Sequence, residues 1–224
     1  MTFDGIETET GAEPRHAVIW LHGLGADGND FVPMVPQLVA RDWPPLRFVF
    51  PHAPMRAITI NGGMKMRGWY DITGMEIAQR QDESGVRASI ALVEELIARE
   101  VARGVPTANI ILAGFSQGAA MAMSAGLRHA EKLAGIIALS GYLPLHEPLA
   151  KERSAANAET RIFIGHGSFD PVVPQALGMM GRDYLRSLGY TVDWHSYAMA
   201  HQVCNEEIDQ LRSWLAARFG LAAA

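Results

Sequence analysis

Ser116 lies at the centre of a Gly-x-Ser-x-Gly pentapeptide that runs from Gly114 to Gly118. An apolar run, 109–113, precedes it and an Ala/Met-rich run, 119–123, follows it, which together predict a strand, a sharp turn and a helix. A serine at such a turn is held in a strained conformation, with its Oγ exposed beside the helix N-terminus. We therefore predict that Ser116 is a nucleophile, against the alternative of an ordinary glycine-serine turn.

A nucleophilic serine needs a base to take its proton, and the base needs an acceptor that holds it in one tautomer. A recurrent order of these groups along the chain is serine, acid, histidine. His201 fits this order, because it follows a strand predicted over 191–197, and catalytic groups collect in loops after parallel strands. The other histidines precede the serine, precede a suitable acid, or lie inside a predicted strand: His16, His22, His52, His129, His146, His166 and His195.

Asp170 is the acid that suits this order. It lies in a turn after the apolar run 162–164, at a strand end from which it can reach the loop of His201. An Asp-Pro pair also occurs as a plain turn, and a histidine beside a helix start also occurs as a cap or core residue. Three such groups in the right order at three strand ends favour Ser116, Asp170 and His201 acting together. The remaining late acids lie inside predicted elements or before that strand: Asp183, Asp193, Glu147, Glu152 and Glu159.

The negative oxygen that develops when a serine attacks a carbonyl group needs preorganised N–H donors. We expect one donor to be the backbone N–H of Gln117, the residue after the nucleophile. The glycine-rich loop 22–28 follows an earlier strand, and its glycines allow the backbone to turn an N–H inward. Leu24 in this loop is the predicted second donor.

The same loop also matches a different class of site. Gly23-x-Gly25-x-x-Gly28 after a strand is a dinucleotide-binding fingerprint. That fingerprint needs an acid at the end of the next strand to bind a ribose, and the nearest acid here, Asp42, lies before that strand. A metal site is disfavoured as well, since the chain has 1 cysteine and no clustered His/Asp spacing.

The elements that must position these groups alternate along the chain. Alternating strands and helices predict an α/β fold with a mainly parallel sheet and helices on both faces. Two long stretches, 51–76 and 143–160, fit neither element, and loops of this length are usually functional or mobile. The predicted strands are 16–21, 47–50, 109–113, 135–139, 161–164 and 191–197, and the predicted helices are 29–39, 82–103, 174–188, 205–219 and one after Ser116.

Length and composition restrict the class of protein. A chain of 224 residues with 49% hydrophobic residues suits one domain over 1–224 with a full core. A net charge of −5 without a Lys/Arg cluster argues against nucleic acid or an anionic membrane as the main partner. No stretch is apolar enough to span a membrane, no secretory signal is visible, and Cys204 has no second cysteine to pair with. We therefore expect a soluble, cytoplasmic protein without stable membrane anchoring.

Several motifs stand in order along nearly the whole chain: HGLGADG at 22–28, PHAP at 51–54, WYD at 69–71, GFSQG at 114–118, HGSFDPVVP at 166–174, and the late His201. Together they resemble the phospholipase/carboxylesterase family, which includes small bacterial carboxylesterases and eukaryotic acyl-protein thioesterases. The resemblance implies an α/β-hydrolase fold of minimal size without a large cap domain, no cofactor, and hydrolysis of carboxylic esters, lysophospholipids or thioesters. Ala119 and Ala200 stand where the family commonly has glycine, and neither change removes a reacting group.

In this family the segment around Trp69 resembles a flexible substrate-binding loop, here roughly 52–76. We predict that its apolar side chains hold an acyl chain of short to medium length, with packing beneath a long loop as the alternative. A homodimer is left open, since homodimers occur among relatives. A catalytically silent binding protein is the runner-up, although a binder has no need for three catalytic groups. The predicted substrate-binding residues are Met64, Met66, Trp69 and Ile72.

Overall fold

The computed structural model describes residues 3–74 and 82–221. Within these ranges the chain forms nine strands and six α-helices. The strands are β1 (Gly5–Glu9), β2 (His16–Leu21), β3 (Leu46–Pro51), β4 (Met55–Ile58), β5 (Met64–Arg67), β6 (Ile110–Phe115), β7 (Gly135–Leu139), β8 (Ile162–Gly167) and β9 (Val192–Tyr197). The helices are α1 (Val35–Leu38), α2 (Glu83–Ala102), α3 (Gln117–Gly126), α4 (His146–Glu152), α5 (Gln175–Ser187) and α6 (Asn205–Phe219).

One sheet organises the described residues, with strand order β1-β3-β2-β6-β7-β8-β9. Every neighbouring pair is parallel except β1 and β3, which run antiparallel. The strands β2, β6, β7 and β8 are almost entirely buried, as expected of continuous apolar runs covered on both faces. The predicted mainly parallel sheet is confirmed, and it brings the carboxyl ends of β6, β8 and β9 to the same edge.

Helices cover both faces of the sheet, as the alternation predicts. The core on one face is formed with side chains of α2, α3 and α5, such as Val93, Met121 and Leu185. The core on the other face is formed with α1 and α6, through residues such as Leu38 and Leu211. Burial of these apolar faces is what fixes the helices against the strands. In the part of the chain that is described, no helix is both long and apolar enough to cross a membrane.

The structure corrects one predicted helix. The helix expected over 29–39 is reduced to a 3₁₀ turn, Val32–Met34, followed by the single turn of α1. Pro33 and Pro36 are the second residues of these two turns. Because proline has no backbone N–H, neither residue can extend a helix in the N-terminal direction through regular hydrogen bonds.

The two stretches that fit neither element contain short regular structure. Residues 143–160 include α4, and the segment 52–76 contains a two-stranded antiparallel hairpin of β4 and β5. Gly62 and Gly63 lie in the connection between β4 and β5 with φ of +66° and +79°, which only glycine adopts without strain. The last two residues of the predicted loop, 75 and 76, lie outside the described residues.

Candidate active site

Ser116 occupies the sharp turn between β6 and α3. Its φ of +55° and ψ of −118° are strained for a residue with a side chain, and its N–H donates to the Leu139 carbonyl oxygen at 2.8 Å. In this turn the backbones of β6, α3 and β2 lie in direct contact, which leaves no space for side chains at two positions. A Cβ added at Gly114 would overlap the backbone of Gly118, and one added at Gly118 would overlap the carbonyl group of Leu21. The two glycines of the pentapeptide are therefore required because a side chain would have no space at either position.

Asp170 and His201 are brought together at the carboxyl ends of β8 and β9. The Nδ1 atom of His201 lies 2.7 Å from Oδ2 of Asp170, whose side chain is fully buried. The other oxygen, Oδ1, accepts hydrogen bonds from the N–H groups of Val172 and Val173, both at 2.9 Å. Because an ionised carboxylate only accepts, Nδ1 must carry a proton and donate it. The Nε2 atom of a neutral His201 is then left as an acceptor.

Phe115 connects this pair to the serine. Its ring lies 4.7 Å from the imidazole of His201 between ring centroids, and the next residue along the chain is Ser116. His201 is partly exposed, with 16% of its side chain accessible, whereas the side chain of Asp170 is inaccessible to solvent. A base that is reachable from solvent and an acid that is not form a common arrangement for activating a serine hydroxyl.

A second histidine borders Asp170. Nε2 of His166 lies 2.8 Å from the Val173 carbonyl oxygen and 3.6 Å from Oδ2 of Asp170. Burial lowers the pKa of His166, so its ring is neutral at neutral pH and adds no positive charge beside the carboxylate. Because Nε2 donates to a carbonyl group, this ring braces the turn after β8. Chain order excluded His166 as the base and gave no indication of this structural contact.

The two predicted N–H donors lie beside the serine. A Cβ added at Gly23 would lie 3.4 Å from Cβ of Ser116, so loop 22–28 runs past this serine. Across the described residues, no group accepts a hydrogen bond from the backbone N–H of Leu24 or Gln117. Gln117 is the first residue of α3, where the helix leaves its N–H groups unpaired. Both N–H groups are therefore available as hydrogen-bond donors among the described residues.

Side chains fix the relation between this loop and the serine turn. The side-chain oxygen Oε1 of Gln117 accepts from the Trp69 N–H at 2.8 Å, and its Nε2 donates to the Tyr70 carbonyl oxygen at 2.8 Å. The indole Nε1–H of Trp69 donates to the carbonyl oxygen of His22 at 2.9 Å. Trp69 thus joins the first residue of α3 to the first residue of the loop. With 1% of its surface exposed, its ring lies in the interior and away from the surface of the hairpin.

His22 and His52 brace the same loop. Nε2 of His22 accepts from the Ala53 N–H at 3.0 Å, so Nδ1 carries the proton and donates to the Gly23 carbonyl oxygen at 2.7 Å. Burial lowers the pKa of His22 and keeps the ring neutral. Nδ1 of His52 accepts from the Gly28 N–H at 2.9 Å. Chain order excludes both rings as bases. The sequence signal for their structural role is position: His22 begins the loop, and His52 follows β3 directly.

The predicted substrate-binding residues separate into three positions. A Cβ added at Gly25 would lie 3.6 Å from Sδ of Met66, and the Gly25 N–H donates to the Arg67 carbonyl oxygen at 2.8 Å, so Met66 lies against the loop. Met64 is 63% exposed on the hairpin. Ile72 is half-buried against the core on the α2 face, and Trp69 is interior.

The geometry of loop 22–28 does not favour the dinucleotide-binding alternative. A Cβ added at Gly28 would overlap the Phe50 carbonyl oxygen, so this glycine is required by contact with β3. Loop 22–28 leads into a 3₁₀ turn, whereas a dinucleotide site needs a helix N-terminus to bind pyrophosphate. Among residues 3–74 and 82–221, no group of three His, Cys, Asp or Glu residues is arranged to hold a metal ion.

The mainly parallel sheet, the serine turn between β6 and α3 and the acid and histidine after later strands define the α/β-hydrolase class. A model of the phospholipase/carboxylesterase family matches residues 5–218. The chain belongs to the phospholipase/carboxylesterase family, as its motifs suggest. It is accordingly a serine hydrolase of the esterase or thioesterase kind.

Individual relatives agree with this assignment. Acyl-protein thioesterase 1 of Neurospora crassa is 42% identical over 218 residues, which cover 92% of this chain and 89% of that protein. The crystal structure of SOBER1 from Arabidopsis thaliana matches with a TM-score of 0.86 at 29% identity, over 91% of this chain and 99% of that one. Acyl-protein thioesterase 2 of Zea mays matches with a TM-score of 0.84 at 27% identity, over 96% and 100%. The predicted α/β-hydrolase fold is thereby confirmed.

Proposed function

We propose that the protein hydrolyses carboxylic esters of short to medium acyl chains through an acyl-enzyme intermediate on Ser116. The observation that carries the proposal is the 2.7 Å hydrogen bond between His201 and the buried Asp170, next to the strained serine turn. A hydrogen bond of this kind fixes the imidazole in the tautomer whose Nε2 can accept a proton.

The first half of the proposed reaction forms the acyl-enzyme. Nε2 of His201 takes the proton from the Oγ of Ser116 as Oγ attacks the ester carbonyl carbon, and the carbonyl oxygen becomes an oxyanion. The N–H groups of Leu24 and Gln117 donate to that oxyanion. As the tetrahedral intermediate collapses, His201 returns its proton to the departing alcohol oxygen, which leaves the acyl group on Oγ.

The second half repeats these steps with water. His201 removes a proton from the water molecule as it attacks the acyl carbon, and the same N–H groups bind the second oxyanion. Collapse returns the proton from His201 to the Oγ of Ser116 and releases the carboxylic acid. Asp170 keeps its charge throughout and stabilises the imidazolium that forms twice in each turnover.

The hydrolysis of nitrophenyl butyrate tests this proposal directly. We expect the parent protein to release nitrophenol and Ser116→Ala to fall to the background rate, because the variant has no group to acylate. Ser213→Ala, which removes an exposed hydroxyl group on α6, is the matched control and should keep the parent rate. Intact-mass measurement after a fluorophosphonate probe should show one adduct on the parent and none on Ser116→Ala. Equal hydrolysis by parent and Ser116→Ala would refute the mechanism.

We further propose that Met66 contacts the acyl chain, because its sulfur lies against the loop that carries the Leu24 donor. Met64 is exposed on the same strand and would contact only longer chains. A chain-length series of nitrophenyl esters tests this assignment. We expect Met66→Ala to shift the preferred chain length, whereas Met179→Ala, an exposed methionine on α5, should leave it unchanged. An identical preference in all three proteins would rule out the assignment.

A thioesterase activity is the second candidate, and the name of the relative from Neurospora crassa favours it. The same groups suffice for a thioester, since a thiolate needs less help from His201 to leave than an alkoxide does. Parallel measurement of kcat/KM on an ester and a thioester with the same acyl chain decides between them. A kcat/KM that is much higher for the thioester than for the oxygen ester would assign the protein to thioester substrates.

We also propose that the protein acts in the cytoplasm. Cys204 is the only cysteine of the chain, which supports a reducing compartment such as the cytoplasm. Light scattering during size-exclusion chromatography will show whether the protein is a monomer or a homodimer.

A further inference from the structure

Glu207 is a buried acid that the proposed reaction does not use. It is the third residue of α6, its residue surface is 0% exposed, and α6 begins soon after His201 in the chain. Within the described residues, neither carboxyl oxygen of Glu207 has a hydrogen-bond partner. An ionised carboxylate in such a position would be strongly destabilising, since a buried charge needs a partner.

The carboxyl group of Glu207 lies against the strand that carries Asp170. A Cβ added at Gly165 would overlap Oε1 of Glu207, so the acid fills the space of a missing side chain on β8. Gly165 pairs with Leu139 of β7 and with His195 of β9. The acid therefore touches the sheet close to the strand ends from which Asp170 and His201 extend.

Among residues 3–74 and 82–221, the charged and titratable groups around Glu207 offer it no counter-ion. From β9, burial raises the pKa of Tyr197, with the carboxyl of Glu207 as a further cause, and burial lowers the pKa of His195. The hydroxyl of Tyr197 donates to Gln210 at 2.7 Å. β7 and β8 present Leu139 and Gly165, α6 itself adds the exposed Glu206, and Cys204 lies directly before α6.

Burial raises the pKa of Glu207 to about 8. The N-terminus of α6 favours an anion, but the cost of removing the charge from water outweighs this effect, since burial is the cause that sets the pKa of Glu207. The group is therefore mostly protonated at neutral pH, as a neutral acid between α6 and β8.

We propose that Glu207 is a positioning residue: its uncharged carboxyl holds the start of α6 against β8, and loss of its proton displaces the His201 loop and stops hydrolysis. The activity in this inference rests on the proposed function. The proton passes to solvent base, so the change is reversible. A charged carboxylate must reach water or a donor, and it can do so only by moving α6, whose first residues follow directly on the loop.

The pH profile of kcat/KM tests this role. We expect the parent to lose roughly tenfold in kcat/KM one pH unit above the midpoint of Glu207, relative to its own rate near pH 6.5. Glu207→Gln keeps the shape of the side chain without an ionisable group, and it should lack this alkaline fall. Glu206→Gln, one residue earlier and exposed, should keep it. Rates of Ser116→Ala are subtracted as the background of spontaneous hydrolysis.

A parent profile that stays flat to pH about 9.5, or the same alkaline fall in Glu207→Gln, would overturn the proposal. Glu207→Leu supplies a second uncharged side chain should the glutamine variant fold poorly, and the same flat profile is expected of it. The low-field proton resonance of the bond between His201 and Asp170 gives a readout that does not need turnover. It should disappear across the same pH range in the parent and persist in either uncharged variant. Its persistence in the parent would also overturn the proposal, whether or not the protein hydrolyses esters.

Discussion

The substitution Asp170→Asn tests whether Asp170 orients His201, because the hydrogen-bond donors around the acid decide how an asparagine would be oriented. Oδ1 of Asp170 accepts two backbone N–H groups, from Val172 and Val173, each at 2.9 Å. Oδ2 accepts from His201 Nδ1 at 2.7 Å. An asparagine has one oxygen and one NH₂ group, so its orientation is decided by these neighbours. The oxygen must face the two backbone donors, because the opposite orientation would set an NH₂ group against both of them.

The expected loss follows from this forced orientation. The NH₂ group of the introduced asparagine then donates to His201, so Nδ1 becomes the acceptor and the proton of the neutral ring moves to Nε2. A protonated Nε2 cannot take the proton of Ser116. In a serine protease whose histidine is paired with a buried aspartate, a wrong tautomer of this kind costs on the order of 10⁴ in kcat, or about 5.5 kcal/mol. We expect a loss of the same order here, with KM changed by less than about threefold because substrate contacts are untouched.

Steady-state hydrolysis of nitrophenyl butyrate at neutral pH measures the effect. Asp183→Asn is the matched control, since Asp183 lies exposed on α5 and pairs only with Arg182 among the described residues; its rate should equal that of the parent. Circular dichroism and thermal unfolding establish that Asp170→Asn is folded. A folded Asp170→Asn that loses less than about tenfold in kcat would refute the assignment of Asp170 as the acid that orients His201.

Two further predictions concern the surroundings of the site. Trp69→Phe removes the indole donor to His22 and leaves a buried carbonyl oxygen unpaired, which costs about 1–3 kcal/mol. We therefore expect roughly a tenfold fall in kcat/KM for nitrophenyl butyrate. An unchanged kcat/KM would show that this hydrogen bond does not position the loop. Glu207→Gln should change how stability depends on pH. Because the folded pKa of Glu207, about 8, exceeds its ordinary value of 4.5, the folded state binds the extra proton and the parent loses stability as pH rises between these values. Urea unfolding of parent and variant from pH 5.5 to 7.5 should show the parent losing roughly 2–3 kcal/mol relative to the variant, and parallel curves would contradict the buried, protonated state.

Much of the fold could be predicted because its strands are buried on both faces. The continuous apolar runs at β2, β6 and β7 leave little ambiguity, and the helix predicted over 82–103 begins where its first residue, Asp82, caps it by accepting a hydrogen bond from the Gly85 N–H. β1 was not expected, since its sequence, GIETE, has little apolar content. It forms because β3 offers an unpaired edge, and no local pattern encodes that partner.

The candidate site was predictable to the extent that topology decides it. Parallel strands present their carboxyl ends at one edge, so chain order alone selected Asp170 and His201, which the structure places in hydrogen-bond contact. Their catalytic roles remain proposals. The interior position of Trp69 could not be foreseen, because an aromatic residue in a Met-rich loop suits a surface groove and a core equally well. Glu207 resembles an ordinary acid in the first turn of a helix, and only the tertiary contact with Gly165 shows that it points inward.

The strand order has a consequence for synthesis on the ribosome. From β6 to β9, the sequence in the chain and the sequence in the sheet are the same. β2, β3 and β6 can therefore associate while the later strands are still being translated, since folding of a nascent chain begins from its N-terminal part. Ser116 has been translated at that stage, but its hydrogen-bond acceptor Leu139 and the later residues Asp170 and His201 have yet to join it. If the proposed roles hold, such a nascent chain has the proposed nucleophile without its proposed base, and we expect it to be inert toward acyl compounds until β9 and the loop after it join the sheet.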